Sequence, residues 1–227
     1  MYYKNLLFDA DNTLFFFDQA NRHAFEAVCR TMDIPFSAEN FARYERHNNA
    51  MWELFDRGGI TKDELVIRRF VNFLAELGVQ RDPEECNHVH LTTLGQCTFM
   101  IPHAVEVVKK LAETHTLYLV TNAVAAVQRS RLAKSEIAPY ITDAFISETA
   151  GASKPSREYF DYVFTRAEGL TRENCLVIGD SLSSDIQGAN NYDLPCCWFN
   201  RKGEKNGRGL RIDYEITDLR ELYEIVE

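Results

Sequence analysis

The feature that most constrains this chain is a short apolar run ending in two acids, within residues 4–14, KNLLFDADNTL. The run LLF at residues 6–8 predicts a buried strand, and the Asn-Thr pair beyond it indicates a turn. The strand delivers Asp9 and Asp11 to its carboxyl end. Burying an acid there costs free energy unless a reaction or a cation requires it. Two acids at i and i+2 therefore favour a functional site over a solvent-exposed turn.

Composition predicts an ordinary globular protein that does not bind polyanions. With 227 residues, 45% of them hydrophobic, the chain can bury one large core and carry a substantial insertion. Its formal net charge of −9 opposes binding to long nucleic acid or to an anionic membrane. A small phosphorylated ligand remains compatible, because a local site can be positive in an acidic protein.

The sequence shows no pattern typical of a targeting signal and no CxxC motif. The first residues lead directly into the strand, and no apolar run approaches the ~18 residues that cross a bilayer. We therefore expect a soluble, cytoplasmic protein. We also expect a monomer or a weak dimer. The six cysteines include no CxxC pair, which favours free buried thiols over disulfides or a zinc site.

The chain contains regions with two different hydrophobic patterns. Residues 16–97 predict four helices without a convincing strand, and residues 98–227 alternate helices with short apolar strands at 116–120, 144–147, 175–178 and 196–199. Such alternation is typical of a parallel sheet covered on both faces. The predicted fold is therefore α/β, a Rossmann-like doubly wound parallel sheet formed by residues 1–15 and 98–227, interrupted by a helical domain at residues 16–97.

Ligands of such sheets gather where the strands end. The candidate residues at these ends, and at the start of the helix that precedes residues 175–178, are Asp9, Asp11, Thr121, Asn122, Lys154, Asp180 and Asp185. Some of them have plainer interpretations. Thr121-Asn122 also suits an ordinary helix cap, Lys154 a solvated surface lysine, and Asp185 an acid favoured by a helix dipole.

Four motifs occur in order along the chain, namely FDADNTL, VTN, SKP and GDSLSSD. Together they resemble the haloacid dehalogenase-like superfamily, and the helical insertion after the first motif looks like the cap domain of its first subclass. Within the superfamily the chain is most similar to the bacterial pyrimidine 5′-nucleotidases. The segments that carry this finer resemblance are FDADNTLFFFD, WELFDRGGIT, and ISETAGASKP followed by REYFDYVF.

The resemblance implies hydrolysis of a phosphate monoester, and the residue types suit that chemistry. A carboxylate that attacks phosphorus divides the reaction into two easier steps through an aspartyl-phosphate, and Asp9 is the candidate nucleophile. Asp11, displaced along the chain, is the candidate general acid for the leaving group and then general base for water.

The remaining residues suit a cation and a phosphate. Oxygen ligands from Asp9, Asp180 and the main-chain carbonyl of Asp11 match the preferences of Mg²⁺, and the resemblance adds Asp185 to this metal site. Thr121 and Asn122 precede a helix, where a phosphate can accept hydrogen bonds from a hydroxyl and from backbone N–H groups. Lys154 would supply a compact positive charge to that phosphate.

The leading hypothesis is a Mg²⁺-dependent phosphomonoesterase, specifically a 5′-nucleotidase that acts on pyrimidine nucleoside monophosphates. The alternatives are a phosphatase of another small metabolite, such as phosphoglycolate or a sugar phosphate, and a sugar phosphomutase. The resemblance implies that the metal-free dehalogenases of the superfamily lack the second aspartate, so Asp11 argues against that activity. The intact set of site residues argues against a non-catalytic binding protein.

Overall fold

The computed structural model describes residues 3–226 and contains a six-stranded sheet. All neighbouring strands in it are parallel, and their order is β3-β2-β1-β4-β5-β6. The strands are β1 (Asn5–Phe8), β2 (Thr116–Thr121), β3 (Asp143–Ile146), β4 (Cys175–Gly179), β5 (Cys196–Phe199) and β6 (Tyr214–Ile216). The predicted α/β, doubly wound parallel-sheet fold is confirmed.

The α-helices of the described chain belong to two compact units. One unit comprises residues 1–17 and 98–227, and the other comprises residues 18–97. The helices are α1 (Phe17–Thr31), α2 (Ala38–Asp56), α3 (Lys62–Leu77), α4 (Pro83–Leu94), α5 (Ala104–Leu111), α6 (Ala125–Lys134), α7 (Ser147–Ala150), α8 (Arg157–Arg166), α9 (Gln187–Tyr192) and α10 (Leu222–Val226). Within residues 3–226, no helix combines the length and the apolar character needed to cross a bilayer.

Alternating side chains of β1 pack into two separate hydrophobic clusters. Leu6 and Phe8 join the cluster that includes α5 and α10, whereas Leu7 joins the cluster that includes α8 and α9. Because side chains of a strand point alternately to the two faces of a sheet, this division places helices on both faces. Both faces of the sheet are buried at β1, which explains why residues 6–8 are all apolar.

Local chemistry explains where the structure departs from the predicted elements. The helix expected from Lys154-Pro155 begins at Arg157, because Ser156 is its N-cap and accepts a hydrogen bond from the Tyr159 amide at 3.3 Å. The strand β6 was not predicted, since its three residues follow a charged, glycine-rich loop. After β6 the chain ends in a 3₁₀ turn at Leu219–Glu221 followed by α10.

The helical unit has its own aromatic core. Tyr44 stacks between Phe25 and Phe70, with ring centroids 4.6 and 5.2 Å away, and all three rings are buried. At the entry to α3, Thr61 and Glu64 form a capping box, a pattern that the sequence TKDE at residues 61–64 indicates. The tertiary contacts of this core supply the stability that isolated helices of this length lack.

A buried polar cluster lies beside these rings and contains an arginine without a carboxylate. Arg69 donates to Asn48 Oδ1 at 3.0 Å, to Asn87 Oδ1 at 3.1 Å and to His90 Nδ1 at 3.3 Å. Since Nδ1 accepts from a guanidinium, the proton of neutral His90 lies on Nε2, which is 3.0 Å from Asn21 Oδ1. Burial and the charge of Arg69 hold the pKa of His90 well below its usual range.

This arrangement predicts that the chain loses stability as pH falls. The unfolded chain protonates His90 near pH 6.5, whereas the folded chain keeps the imidazole neutral. The contribution of the neutral imidazole to the unfolding free energy is therefore complete above that pH and declines below it. Between pH 7.5 and 5.5 we expect the wild type to lose about 1.4 kcal/mol more unfolding free energy than the variant His90→Gln. Denaturant titrations of both proteins measure this difference. Parallel pH dependences would contradict the assignment of a neutral buried His90.

Candidate active site

The carboxyl ends of β1, β2 and β4 lie side by side at one edge of the sheet. β1 pairs with β2 on one side and with β4 on the other, all in parallel. The Asp9 amide extends this pairing by donating to the Ile178 carbonyl at 2.8 Å. The residues that follow the strands, Asp9, Asn122 and Asp180, therefore leave the sheet at neighbouring points.

Three carboxylates and one lysine meet at this edge. Asp9, Asp180 and Asp185 each place a carboxylate oxygen within 4.8 Å of the others. Lys154, whose side chain is 1% exposed, donates to Asp9 Oδ1, Asp185 Oδ1 and the Val120 carbonyl, each at 2.6 Å. The lysine lies in the interior of the sheet edge and not on the surface.

Burial and mutual repulsion disfavour the charged forms of the acids at this edge. Burial first, and then the charge of Asp185, raise the pKa of Asp9 to about 7. Burial and the charge of Asp9 likewise raise the pKa of Asp180 well above its usual range. Burial opposes the charge on Lys154, but the carboxylates of Asp185 and Asp9 outweigh it and raise the pKa of the ammonium group. Three clustered carboxylates against one ammonium are the kind of oxygen-rich, anionic donor set that a hard divalent cation prefers.

Asp185 reaches this cluster because β4 ends in glycine. A Cβ on Gly179 would lie 2.3 Å from the Asp185 carboxyl group, which is closer than non-bonded heavy atoms of this kind can pack. The second carboxyl oxygen of Asp185 accepts a hydrogen bond from the Ser181 amide at 3.0 Å. Asp185 is thus fully buried and held at both oxygens, unlike a solvent-exposed acid at a helix end.

Thr121 and Asn122 follow β2 and connect it to Lys154. The Asn122 amide donates to the Lys154 carbonyl at 2.8 Å and accepts from the Lys154 amide at 2.9 Å, so it fixes the backbone that carries the lysine. Thr121 is buried, and its hydroxyl oxygen accepts from the Ala123 amide at 3.2 Å. Its own proton is left available as a hydrogen-bond donor.

Asp11 lies apart from the carboxylate cluster. Its side chain is 26% exposed, and Oδ1 forms an ion pair with Arg131 Nη1 from α6. Sequence reasoning missed this arginine. Its only signal was its position on the helix that follows the second motif, where Arg129 and Lys134 are equally plausible by residue type.

A pocket of about 340 Å³ adjoins Asp180. Its lining includes three cations, Arg201, Lys202 and Arg208, together with a second acid, Glu204, and several neutral hydrogen-bonding side chains. The Arg201 guanidinium lies 4.5 Å from the centre of the Phe16 ring, a cation–π contact that fixes its position. The loop at residues 201–211 therefore contributes positive charge beside the acids.

An α/β fold with carboxylates and a buried lysine at the strand ends defines a class of hydrolases, and comparison with known proteins identifies the family. The family model described as haloacid dehalogenase-like hydrolase matches residues 3–193. The chain belongs to this family.

Full-length relatives include two nucleotidases. The chain is 36% identical over 224 residues to YfnB of Bacillus subtilis (strain 168), covering 99% of this chain and 95% of that protein. It is 31% identical over 228 residues to pyrimidine 5′-nucleotidase PynA of Streptococcus pneumoniae, covering 100% and 96%. It is 28% identical over 221 residues to pyrimidine 5′-nucleotidase YjjG of Escherichia coli (strain K12), covering 97% and 96%.

Solved structures agree with this assignment. The crystal structure of YfnB from Bacillus subtilis bound to magnesium has a TM-score of 0.96 and 35% sequence identity, covering 100% of both chains. The 2-haloacid dehalogenase of Pseudomonas syringae pv. tomato DC3000 has a TM-score of 0.70 at 25% identity, covering 99% of this chain and 98% of that chain.

Proposed function

We propose that this hydrolase is a Mg²⁺-dependent phosphomonoesterase whose substrates are pyrimidine nucleoside 5′-monophosphates. The observation that carries the proposal is the contact of Lys154 with Asp9 and Asp185 beside Asp180. A nucleophilic carboxylate, a buried cation and further acids are the groups that transfer of a phosphoryl group to an aspartate requires.

In the first step, Asp9 attacks phosphorus. Its Oδ1 is held by Lys154, which leaves Oδ2 to form the new oxygen–phosphorus bond while the bond to the 5′ oxygen breaks. Lys154 also balances negative charge on the phosphoryl group as it moves to Asp9. The Thr121 hydroxyl and the backbone N–H groups after β2 would orient the phosphoryl oxygens, and Asn122 would keep Lys154 in place.

Protons move through Asp11. In its acid form it donates a proton to the leaving 5′ oxygen, which departs as an alcohol. In the second step Asp11 accepts a proton from the water that attacks the phosphorus of the aspartyl-phosphate, and Asp9 and inorganic phosphate are released. Asp11 suits this role because its side chain lies outside the Lys154 cluster and is partly exposed.

The acid cluster would hold the cation. Asp9, Asp180 and the main-chain carbonyl of Asp11 would be its protein ligands, and Asp185, already bonded to Lys154 and Ser181, would support them. Bound Mg²⁺ would neutralise negative charge on the phosphoryl oxygens. The magnesium-bound YfnB structure supports this choice of metal.

Nucleotide specificity is the finer part of the proposal. It is supported by PynA and YjjG, two pyrimidine 5′-nucleotidases that match this chain over nearly its whole length. The pocket beside Asp180 is lined by three cations against two acids, Asp180 and Glu204, a balance that is compatible with a small anionic ligand.

A phosphate-release screen tests the proposal. Nucleoside monophosphates, sugar phosphates and phosphoglycolate are compared at equal concentrations, with EDTA or with added Mg²⁺. We expect kcat/KM for UMP or dTMP to exceed that for the other classes by at least about tenfold, and EDTA to abolish turnover.

The other outcomes are distinct. A preference for a sugar phosphate or phosphoglycolate would overturn the nucleotidase assignment but not the phosphatase one. Isomerisation of a sugar phosphate that needs a bisphosphate primer would indicate a mutase. Halide release from 2-haloacids without phosphate release would contradict the whole proposal.

A further inference from the structure

The Arg131 guanidinium is buried between Asp11 and an aromatic ring. It is 1% exposed, and its Nη1 donates to Asp11 Oδ1 and to Gln128 Oε1, the latter at 3.3 Å. Its Cζ lies 4.6 Å from the centre of the Phe15 ring. At least three different groups therefore hold the guanidinium in place.

Two of these groups belong to one tight loop. The Asn12 amide donates to the Phe15 carbonyl at 2.7 Å, and the Phe15 amide donates to the Ala10 carbonyl at 2.8 Å. Asn12 adopts a positive φ of 63°, which this turn requires and which asparagine tolerates better than most residues. Asp11 and Phe15 are thus fixed to each other by the backbone, and Arg131 contacts both side chains.

The ion pair between Arg131 and Asp11 is expected to contribute little to the unfolding free energy. Desolvation of a buried guanidinium offsets much of its attraction to a carboxylate, so such pairs contribute little net free energy. Holding the Asp11 carboxyl group in one orientation has a larger effect, on the rate of the reaction. Proton transfer depends steeply on geometry, and a misplacement of about 1 Å can lower a rate about 100-fold.

The ion pair distinguishes the two oxygens of Asp11. Oδ1 is held by Arg131, whereas Oδ2 accepts no hydrogen bond from any residue within 3–226. Oδ2 is therefore the oxygen that can carry a proton to the substrate. Without Arg131, the carboxyl group could rotate and point either oxygen in several directions.

We propose that Arg131 is a positioning residue that holds Asp11 so that Oδ2 exchanges a proton with the leaving oxygen. This inference rests on the proposed phosphomonoesterase function. As the phosphorus–oxygen bond breaks, the proton on Oδ2 moves to the departing oxygen. In the second step, the same oxygen regains a proton from the water that attacks the aspartyl-phosphate.

Leaving groups of different basicity provide the test. The uridine alkoxide leaving UMP needs a proton, whereas the nitrophenolate leaving p-nitrophenyl phosphate does not. Single-turnover rates, with enzyme in excess over substrate, isolate the first chemical step for both compounds. The proteins compared are wild type, Arg131→Gln, Arg131→Lys and the control Arg129→Gln, whose arginine is exposed on the same helix and bonds Thr149.

For Arg131→Gln we expect the rate of uridine formation to fall about 100-fold and the rate of nitrophenol formation to change less than about threefold. The substrate KM should stay within about twofold. Arg131→Lys, which keeps a positive charge, should recover part of the uridine rate. Adding Arg131→Gln to Asp11→Asn should cause no further loss, because both changes remove the same proton transfer.

Two results would overturn the inference. Equal losses on both compounds would indicate a general structural role, and rates equal to those of Arg129→Gln would indicate no role. If Arg131→Gln fails to fold, Arg131→Lys decides by the same ratio of the two rates. Failure of the proposed function itself is a separate result, because the wild type would then release no phosphate from UMP.

Discussion

The variant Asp9→Asn is expected to lose at least about 1,000-fold in phosphate release while keeping its fold. An amide of nearly the same size cannot attack phosphorus, yet its oxygen can still accept the hydrogen bond from Lys154. The change also removes one negative charge from a cluster in which three carboxylates face one ammonium. In EDTA, the melting temperature should therefore equal or exceed that of the wild type.

Phosphate release with Mg²⁺ and thermal melting in EDTA measure the two effects separately. The matched control is Asp143→Asn, an exposed aspartate on β3 of the same unit, which should leave both quantities unchanged. Activity within about tenfold of the wild type would show that Asp9 is not the nucleophile.

The variant Lys154→Met is expected to lose both stability and activity. The ammonium group compensates two buried carboxylates, Asp9 and Asp185, through contacts of 2.6 Å. Methionine fills similar space but leaves those charges without their cation, which should lower the unfolding free energy by about 3–5 kcal/mol in EDTA. Loss of a preorganised cation should also lower kcat at least about 100-fold.

Denaturant unfolding in EDTA and phosphate release with Mg²⁺ check this prediction. Lys134→Met on α6 is the control, because Lys134 is exposed and donates a hydrogen bond to the Ser130 hydroxyl on the same helix. An unfolding free energy within about 0.5 kcal/mol of the wild type would contradict the account of Lys154 as the buried counter-charge.

Short-range patterns were enough to predict the sheet and the strand ends. The apolar runs at residues 6–8 and 175–178 identified buried parallel strands, and parallel strands bring their carboxyl ends to one edge. Asp9 and Asp180 could therefore be expected near each other from sequence. Helix boundaries were predictable where side chains cap the backbone, as Thr61 does for α3.

Longer-range contacts were not predictable in this way. Asp11 and Arg131 are 120 positions apart, and no local pattern distinguishes Arg131 from Arg129 on the same helix. The difference between the two arginines appears only in the fold, where Arg131 is buried and Arg129 is exposed. The burial of Asp185 likewise depends on Gly179, because a Cβ at that position would lie 2.3 Å from the Asp185 carboxyl group.

The central claim is that the reaction passes through an aspartyl-phosphate on Asp9. The most direct test is to quench the wild type in acid during turnover of UMP with Mg²⁺, digest it, and locate the phosphoryl group by peptide mass spectrometry. The account predicts a phosphoryl mass increment on Asp9, and none in Asp9→Asn. A phosphoryl group on another residue, or a turning-over enzyme that never carries one, would contradict it.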